Sequence, residues 1–571
     1  MRLLLLVALL IASCQSASGP GIEGVETHFR AAAKLPSTGL GTSVQALLDK
    51  RGWTTATEVE SAASAERDLW IDAAELRFLQ AENENAYLLS ARDAWRWLSL
   101  TRGGRAEPAE QKERALRIYN HATAAFVLRF RKGLPLKSLG VIRVRRSREG
   151  IDPKQFDSLA TAYSVSTRGY AKRVVSAGLG APFIGIRRHT EKRDRDDPYL
   201  PPVDHARAIT AVLHFGERGA ELRFHDPAEE TTVSAFGYVM PLAGDFTAPL
   251  AYVASRLDAE SAKRRATTHP DFAQASIRMP DAPAAGKIPV VLVHGLFRGP
   301  GDFRRMVNQL RADPQIRTRY QFIGYRYAPG FPLPLITLDF RERLDTFWQW
   351  FDSRVPRARK DGYIVIGHSM GGLVARSLAV RSEDSLWSTM FRVPPDQVDL
   401  STPLGQRVRK SLVFEPDPKL ARLIFIATPH RGTGVASSGV GELAMMAIHQ
   451  NEELAELARQ VEEQFADVLR PEVRTRLRGK PNGIQNLSPE DSFLRVYGTL
   501  PIDPGVPFDS VIGDIYGSDA RPVGDGVVSY KSAHLEGAAS ETILRLGHHM
   551  HQKPAGIEAV HRILLDHLSS R

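Results

Sequence analysis

A short apolar strand pattern, a glycine-rich turn and a helical pattern follow one another directly in the second half of the chain. Residues 363–366 (YIVI) are apolar, residues 367–372 read GHSMGG, and residues 373–378 (LVARSL) continue as a helix. In this context Ser369 is the centre of a nucleophile elbow, a turn so sharp that glycines are needed on both sides of the serine. The pattern predicts that Ser369 stands in a strained conformation at the start of a helix, where free N–H groups favour negative charge.

Other apolar segments indicate that this strand belongs to a parallel sheet. Residues 288–293 (IPVVLV) and 423–426 (LIFI) are apolar throughout, as strands covered on both faces are, and helical patterns lie between them. Alternation of strands and helices predicts an α/β domain with a mostly parallel sheet and flanking helices. We place it at residues 285–571, after a linker at 281–286 (DAPAAG).

The strand at 288–293 ends in His294-Gly295, about 75 residues before the serine. A strand followed by HG and a loop is typical of an oxyanion-hole loop. The expected donors are the backbone N–H groups of Leu296 and of Met370, the residue after the serine. We interpret His294 as a structural hydrogen-bonding residue, because a catalytic histidine in this architecture follows the nucleophile.

An acid should come after the serine in the chain. Asp525 lies in the Gly-flanked segment 523–528 (VGDGVV), which follows a β-rich segment at Val511-Ile512. It is the predicted acid. Asp514 and Asp519 are rivals without the DGVV context.

A histidine should come last, and residues 547–551 (GHHMH) offer three. His548, directly after the glycine, is the predicted base, with His549 and His551 as alternates. His551 could also pair with His548 on a metal, but no third ligand is evident, so no metal site and no organic cofactor is predicted.

The N-terminus is predicted to be a signal and not part of a fold. Residues 1–13 (MRLLLLVALLIAS) combine Arg2 with an apolar core too short to span a bilayer, and two small residues precede Cys14. Cys14 is the only cysteine of the chain, and its setting resembles a bacterial lipobox. Lipidation there would tether the protein to a membrane of the cell envelope. Gln15 and Ser16 carry no aspartate retention mark, which favours the outer membrane where one exists.

Between the signal and the α/β domain, the sequence suggests three segments. Residues 14–59 serve as tether and lead-in, 60–134 have helical periodicity, and 135–280 read as a β-rich accessory domain. Within the last, 191–197 (EKRDRDD) is expected to be a solvated loop. Residues 381–420 and 441–478 are candidate lid insertions of the α/β domain.

Net charge and cysteine content further limit the classes of function that the chain can have. The formal charge of +10 permits binding to anionic surfaces, but no zinc-finger spacing, RNA-binding signature or Walker loop favours nucleic acid. A single cysteine excludes an internal disulfide framework.

Four segments together carry a family resemblance: 293–297 (VHGLF), 367–372 (GHSMGG), 427–433 (ATPHRGT) and 525–528 (DGVV). They resemble the α/β-hydrolase superfamily of serine esterases and lipases, and within it bacterial lipoprotein hydrolases related to GPI inositol-deacylase-like lipases. The resemblance implies an α/β-hydrolase fold and cleavage of an ester or lipid through Ser369, His548 and Asp525. It also implies that 427–433 shapes the pocket, with His430 a structural residue.

Two alternatives remain open. The same three residues would also serve an acyltransferase or a thioesterase. The N-terminal half, whose partner is unknown, would also suit a surface-tethered binding or assembly protein.

Overall fold

A computed structural model describes most of the chain. The described residues are 22–35, 42–52, 54–63, 66, 68–100, 109–130, 143–146, 151–216, 219–267, 275–296, 299–327, 330–434, 452–478, 485–517 and 522–570. They form two compact units. One comprises residues 1–193 and 202–258 and is here the helix–sheet unit; the other comprises 194–201 and 259–571 and is the parallel-sheet unit. The predicted signal and Cys14 lie outside the described residues.

Helices begin the helix–sheet unit. They are α1 (Ile22–Ala32), α2 (Thr42–Arg51), α3 (Ala56–Ala63), α4 (Leu69–Leu79), α5 (Glu84–Leu100) and α6 (Ala109–Phe130). Their strands follow as β1 (Arg143–Arg146), β2 (Ser158–Thr161), β3 (Val175–Ser176), β4 (Ala181–Arg187), β5 (His205–Gly216), β6 (Gly219–His225), β7 (Thr232–Ala235), β8 (Tyr238–Pro241) and β9 (Gly244–Asp245). Five of them form a sheet in the order β1-β6-β5-β4-β2, in which only the β1–β6 pair is parallel.

The helices and this sheet share one hydrophobic core, whereas the sequence suggested separate segments at 60–134 and 135–280. Tyr119 of α6 shows why they are joined. Its buried hydroxyl donates to the Leu213 carbonyl of β5 at 2.7 Å and accepts from the Leu213 N–H at 2.8 Å. Such long-range pairing leaves no mark on local periodicity.

Two more helices are α7 (Glu191–Asp196) and, after β9, α8 (Thr247–Thr267). Residues 191–197 were expected to be a solvated loop, but α7 occupies most of this segment. The described side chains of α7 are not buried. A one-and-a-half-turn helix with no apolar face has no periodicity to detect, which explains why the loop prediction was wrong.

The parallel-sheet unit is built on seven strands in the order β10-β12-β11-β13-β14-β15-β16. They are β10 (Ser276–Arg278), β11 (Ile288–Val293), β12 (Tyr320–Arg326), β13 (Tyr363–His368), β14 (Leu420–Ile426), β15 (Phe508–Gly513) and β16 (Ser540–Leu544). All neighbours are parallel except β10, which runs antiparallel to β12. The sheet thus begins at 276, before the predicted boundary of 285, because a three-residue edge strand is too short to show a pattern.

Helices lie between these strands. They are α9 (Arg304–Leu310), α10 (Pro314–Arg319), α11 (Leu333–Arg354), α12 (Met370–Arg376), α13 (Pro403–Leu412), α14 (Glu452–Phe465), α15 (Pro471–Arg478), α16 (Ser492–Tyr497), α17 (Tyr530–Ala533) and α18 (Pro554–Ser569). Every residue of β11, β13 and β15 is buried, as expected for strands covered on both faces. No helix among the described residues is both long and apolar enough to cross a membrane.

The two predicted insertions contact each other. The Arg392 N–H donates to the Val468 carbonyl and the Arg470 N–H to the Met390 carbonyl, each at 2.9 Å. Residues 435–451, which include the start of the second insertion, lie outside the described residues. The described parts of both insertions line an apolar cavity of about 140 Å³, which none of Ser369, His548 or Asp525 lines.

The sheet topology brings the predicted site residues to one edge. Residues 294–296 follow β11, Ser369 follows β13, and 427–433 follow β14. Asp525 and His548 lie in the segments after β15 and β16. Since carboxyl ends of parallel strands meet at one edge of a sheet, these five segments face a common site.

Candidate active site

Ser369 occupies a strained turn between β13 and α12. Its backbone has φ 56° and ψ −128°, which a residue with a side chain rarely adopts. The turn is held by the Ser369 N–H, which donates to the Ile426 carbonyl at 2.8 Å, and by the Gly372 N–H, which donates to the Ser369 carbonyl at 2.9 Å. These two backbone hydrogen bonds thus hold Ser369 in its strained conformation.

The glycines around Ser369 permit close approach of the chain to itself. A Cβ atom on Gly371 would collide with the Val293 carbonyl of β11, and one on Gly372 would collide with the Thr428 side chain. A Cβ on Gly367 would lie 2.5 Å from the Gly372 Cα. All three positions therefore need glycine for packing.

Ser369, His548 and Asp525 form a continuous hydrogen-bonded chain. His548 Nε2 lies 2.9 Å from Ser369 Oγ, and His548 Nδ1 lies 2.8 Å from Asp525 Oδ2. Asp525 is buried, whereas Ser369 and His548 are partly exposed, so solvent and a ligand can reach the serine. A carboxylate that orients an imidazole against a hydroxyl is the arrangement that can activate serine as a nucleophile.

Backbone groups orient the Asp525 carboxylate. Its Oδ1 accepts the N–H groups of Val527 at 2.8 Å and Val528 at 2.7 Å, which leaves Oδ2 for His548. Glycines at 524 and 526, both with positive φ, allow this tight loop.

Asp514, the rival acid, holds the same loop and does not contact His548. Its Oδ1 accepts N–H groups from Gly517, Val523 and Gly524 at 2.9–3.0 Å. These hydrogen bonds, that of Gly524 first, lower the pKa of Asp514. The other rival, Asp519, lies outside the described residues.

Two further histidines near the site are engaged elsewhere. His294 Nδ1 donates to the Gly295 carbonyl at 2.7 Å, its ring stacks on Tyr327, and burial lowers its pKa to about 4. His430 is fully buried with Nδ1 3.1 Å from an Arg376 guanidinium nitrogen, and its pKa lies well below the usual range because of burial and then of that charge. Neither contacts Ser369.

The predicted oxyanion-hole segments lie beside the serine. A Cβ on Gly295 would lie 3.1 Å from Ser369 Cβ, so the His294–Gly295 turn touches the nucleophile directly. Leu296 follows this turn, and Met370 begins α12. The backbone N–H groups of both residues therefore lie on the segments that flank Ser369.

The loop after β14 supports the loop that carries Asp525 and the short helix α17 after it, through contacts that the sequence does not predict. Ser532 Oγ donates to the Gly432 carbonyl at 2.7 Å, and the Thr433 hydroxyl donates to the Val527 carbonyl. The Arg431 guanidinium donates to the carbonyls of Lys531 and His534 at 2.8 and 2.7 Å. A hydroxyl contact with a backbone carbonyl some 100 residues away has no sequence signature.

The parallel sheet, the elbow after β13 and the site at the strands' carboxyl ends define an α/β-hydrolase fold. Residues 290–560 match the profile of the Alpha/beta hydrolase family. The parallel-sheet unit accordingly has the α/β-hydrolase fold, as the sequence predicts. No match is found among curated proteins.

Solved structures similar to this chain include three bacterial enzymes. The lipase BlEst2 from Bacillus licheniformis in mature form is 16% identical, with 50% of this chain and 94% of that chain covered and a TM-score of 0.28. A carboxyl esterase from Bacillus coagulans is 13% identical, with 52% and 93% covered and a TM-score of 0.27. Lipase 1 from Pelosinus fermentans is 12% identical, with 49% and 98% covered and a TM-score of 0.28. Scores this low carry no argument about substrate.

Proposed function

We propose that this protein hydrolyses carboxylic esters, with Ser369 as nucleophile, His548 as general base and Asp525 as the residue that orients it. The observation that carries the proposal is the unbroken hydrogen-bonded chain from Asp525 through His548 to a serine on a strained elbow. The α/β-hydrolase fold of the parallel-sheet unit, which contains these three residues, also supports the proposal.

The reaction proceeds through two displacements. His548 Nε2 takes the hydroxyl proton as Ser369 Oγ forms a bond to the ester carbonyl carbon, and the C–O bond to the alcohol then breaks as His548 returns the proton to the leaving oxygen. Water, deprotonated by His548, attacks the acyl-serine, and the acid leaves with Ser369 restored. Asp525 keeps the Nδ1 proton in place and stabilises the imidazolium.

The backbone N–H groups of Leu296 and Met370 are proposed to hold the negative oxygen of each tetrahedral intermediate. A donor of this kind contributes about 3 kcal/mol to transition-state stabilisation. Neither metal nor organic cofactor enters this mechanism.

Pre-steady-state kinetics with p-nitrophenyl esters tests the proposal and its closest alternative together. A burst of about one p-nitrophenolate per chain is expected, because acylation releases the alcohol before the acyl-serine is hydrolysed. Repeating the assay with an added alcohol acceptor distinguishes hydrolysis from acyl transfer, since a transferase would yield the new ester as its main product. Absence of turnover and of a burst across short and long acyl chains would contradict the proposal.

We propose further that the substrates are lipid-like. Three large apolar side chains next to the acid loop are exposed: Ile515 (43%), Tyr516 (71%) and Val523 (56%). Ile515 and Tyr516 lie next to Gly526, the residue after Asp525, because a Cβ on Gly526 would lie 3.1 Å from Ile515 Cδ1 and 3.8 Å from Tyr516 Cε2. Exposed apolar residues grouped at a site favour binding to an apolar ligand or a lipid surface, and the two insertions would act as a lid over it.

Tyr516→Ser should therefore slow hydrolysis of emulsified or vesicle-bound esters by roughly 10-fold, the scale expected for partial loss of one apolar anchor. Hydrolysis of soluble p-nitrophenyl acetate should be unchanged. Tyr238→Ser, at an exposed tyrosine of the helix–sheet unit, is the matched control and should change neither rate. Equal losses on both substrates would contradict a role in lipid contact.

Cys14 is proposed to carry the lipid that anchors the protein in the cell envelope. Its support is the apolar segment, the small residues before it and its status as the only cysteine. In a bacterial host, wild-type protein should incorporate an alkyne-labelled fatty acid and sediment with membranes. Cys14→Ser should lose at least nine-tenths of both signals, and retention of the label would assign the lipid elsewhere.

A further inference from the structure

Three histidines from two distant segments meet next to the serine. His368 ends β13 directly before Ser369, and His549 and His551 follow His548 in the last loop of the site. One ring nitrogen from each lies within 4.8 Å of the other two. The ring centroids of His368 and His551 are 3.8 Å apart. His549 is exposed, whereas the other two are buried.

The hydrogen bonds of the two buried rings determine which nitrogen carries the proton. His368 Nε2 lies 2.9 Å from the His548 carbonyl oxygen, and His551 Nε2 lies 2.8 Å from Asp302 Oδ2. Both partners can only accept, so each Nε2 carries the hydrogen and each neutral ring keeps a lone pair on Nδ1. Metal-binding histidines are commonly held in this way, with the second nitrogen donating to a carbonyl or carboxylate.

Both Nδ1 atoms are buried, and within the described part of the chain neither has a hydrogen-bond partner. An unsatisfied buried polar atom is costly, and each of these two rings carries one.

We propose that His368, His549 and His551 bind one divalent transition-metal ion, with Zn²⁺ the best fit, and that Asp302 orients His551 from outside the ligand set. Three imidazoles with one open position suit zinc. Tetrahedral Zn–N bonds of about 2.0–2.1 Å place ligand nitrogens roughly 3.3 Å apart. The ring nitrogens, now within 4.8 Å of one another, must therefore approach by about 1.5 Å at most.

The ion would be a positioning device and not a participant in ester cleavage. It would join the end of β13, which carries Ser369, to the loop that carries His548, and would thereby hold base and nucleophile in register. His548 is outside the ligand set because Asp525 and Ser369 engage its two nitrogens. This inference does not depend on the proposed function, since metal binding can be measured on a catalytically inactive chain.

Metal binding should be measured on the full chain without a polyhistidine tag. After chelator treatment and buffer exchange, titration with Zn²⁺ against a chromophoric chelator should give one ion per chain, and Co²⁺ should give visible d–d absorption bands. His549→Ala should weaken zinc binding by more than 10-fold, and Asp302→Asn by about 10-fold, the lower end of the range for loss of an outer partner. His189→Ala, at an exposed histidine outside the cluster, is the control and should bind as wild type.

Further variants keep the proposal falsifiable. His548→Ala should retain zinc affinity within about threefold, and its melting temperature should still rise on addition of zinc. Zinc binding that is lost in His548→Ala but kept in His549→Ala would place the ion on the proposed base and overturn the proposal. A stoichiometry below 0.2 for wild type, or an affinity equal in wild type and His549→Ala, would also overturn it.

Discussion

Ser369→Ala should lower kcat for ester hydrolysis by about 10⁴- to 10⁶-fold, the range found when a serine nucleophile that acts with its base is removed. No other described hydroxyl contacts His548, so no neighbour can replace Ser369. KM should change little, because the serine side chain adds little ground-state binding. Steady-state kinetics on p-nitrophenyl butyrate would measure both quantities.

Ser377→Ala is the matched control for this loss. Ser377 lies one residue beyond α12, is buried, and donates from Oγ to the Val374 carbonyl at 2.7 Å. Its removal deletes a serine close to the elbow without touching His548, so kcat should remain within about twofold. A Ser369→Ala chain that keeps more than a tenth of the wild-type rate would contradict the assignment of the nucleophile.

Asp525→Asn should lower kcat by about 10⁴-fold with the fold intact, as expected when the orienting carboxylate becomes an amide and the imidazole takes the wrong tautomer. The new side chain can still accept the N–H groups of Val527 and Val528, so the loop should keep its shape. Circular dichroism and melting temperature would show that the protein is folded, and kcat for a soluble ester would show the loss.

Asp514→Asn separates orientation of the base from support of the loop. Asp514 accepts three backbone N–H groups of the same loop, but it does not contact His548. We expect a loss of kcat below about 100-fold together with a lower melting temperature. A folded Asp514→Asn chain that loses as much kcat as Asp525→Asn would mean that the acid has been assigned wrongly.

The part of the fold nearest the elbow could be predicted from sequence because its signals are local. Apolar strands at 288–293, 363–366 and 423–426 lie on β11, β13 and β14, and the parallel sheet with flanking helices is confirmed. Ser369, His548 and Asp525 could be selected since each directly follows a recognisable strand or glycine. The choice among three histidines at 547–551 rested only on the glycine before His548, and the structure places that histidine, not His549 or His551, on the serine.

What the sequence could not predict depends on pairing between distant segments. Local periodicity does not reveal that Tyr119 of α6 hydrogen-bonds to the backbone of β5. The sequence therefore predicts the helices and the sheet of the helix–sheet unit as separate segments. Likewise, the only evident metal partner for His551 in the nearby sequence is His548, so the sequence predicts no metal site. His368 lies 183 residues earlier, and only the sheet topology brings it to His551.

The central claim is that Ser369 is an activated nucleophile, and labelling with a fluorophosphonate probe followed by peptide mapping tests it most directly. The probe requires an activated serine and an oxyanion hole but no knowledge of the substrate. We predict stoichiometric label on the peptide that contains Ser369 and none in Ser369→Ala, with Ser377→Ala labelled as wild type. Folded wild-type protein that stays unlabelled with and without detergent would contradict the claim and favour a surface-tethered binding protein. Label at another serine would contradict the assignment of Ser369 as the nucleophile.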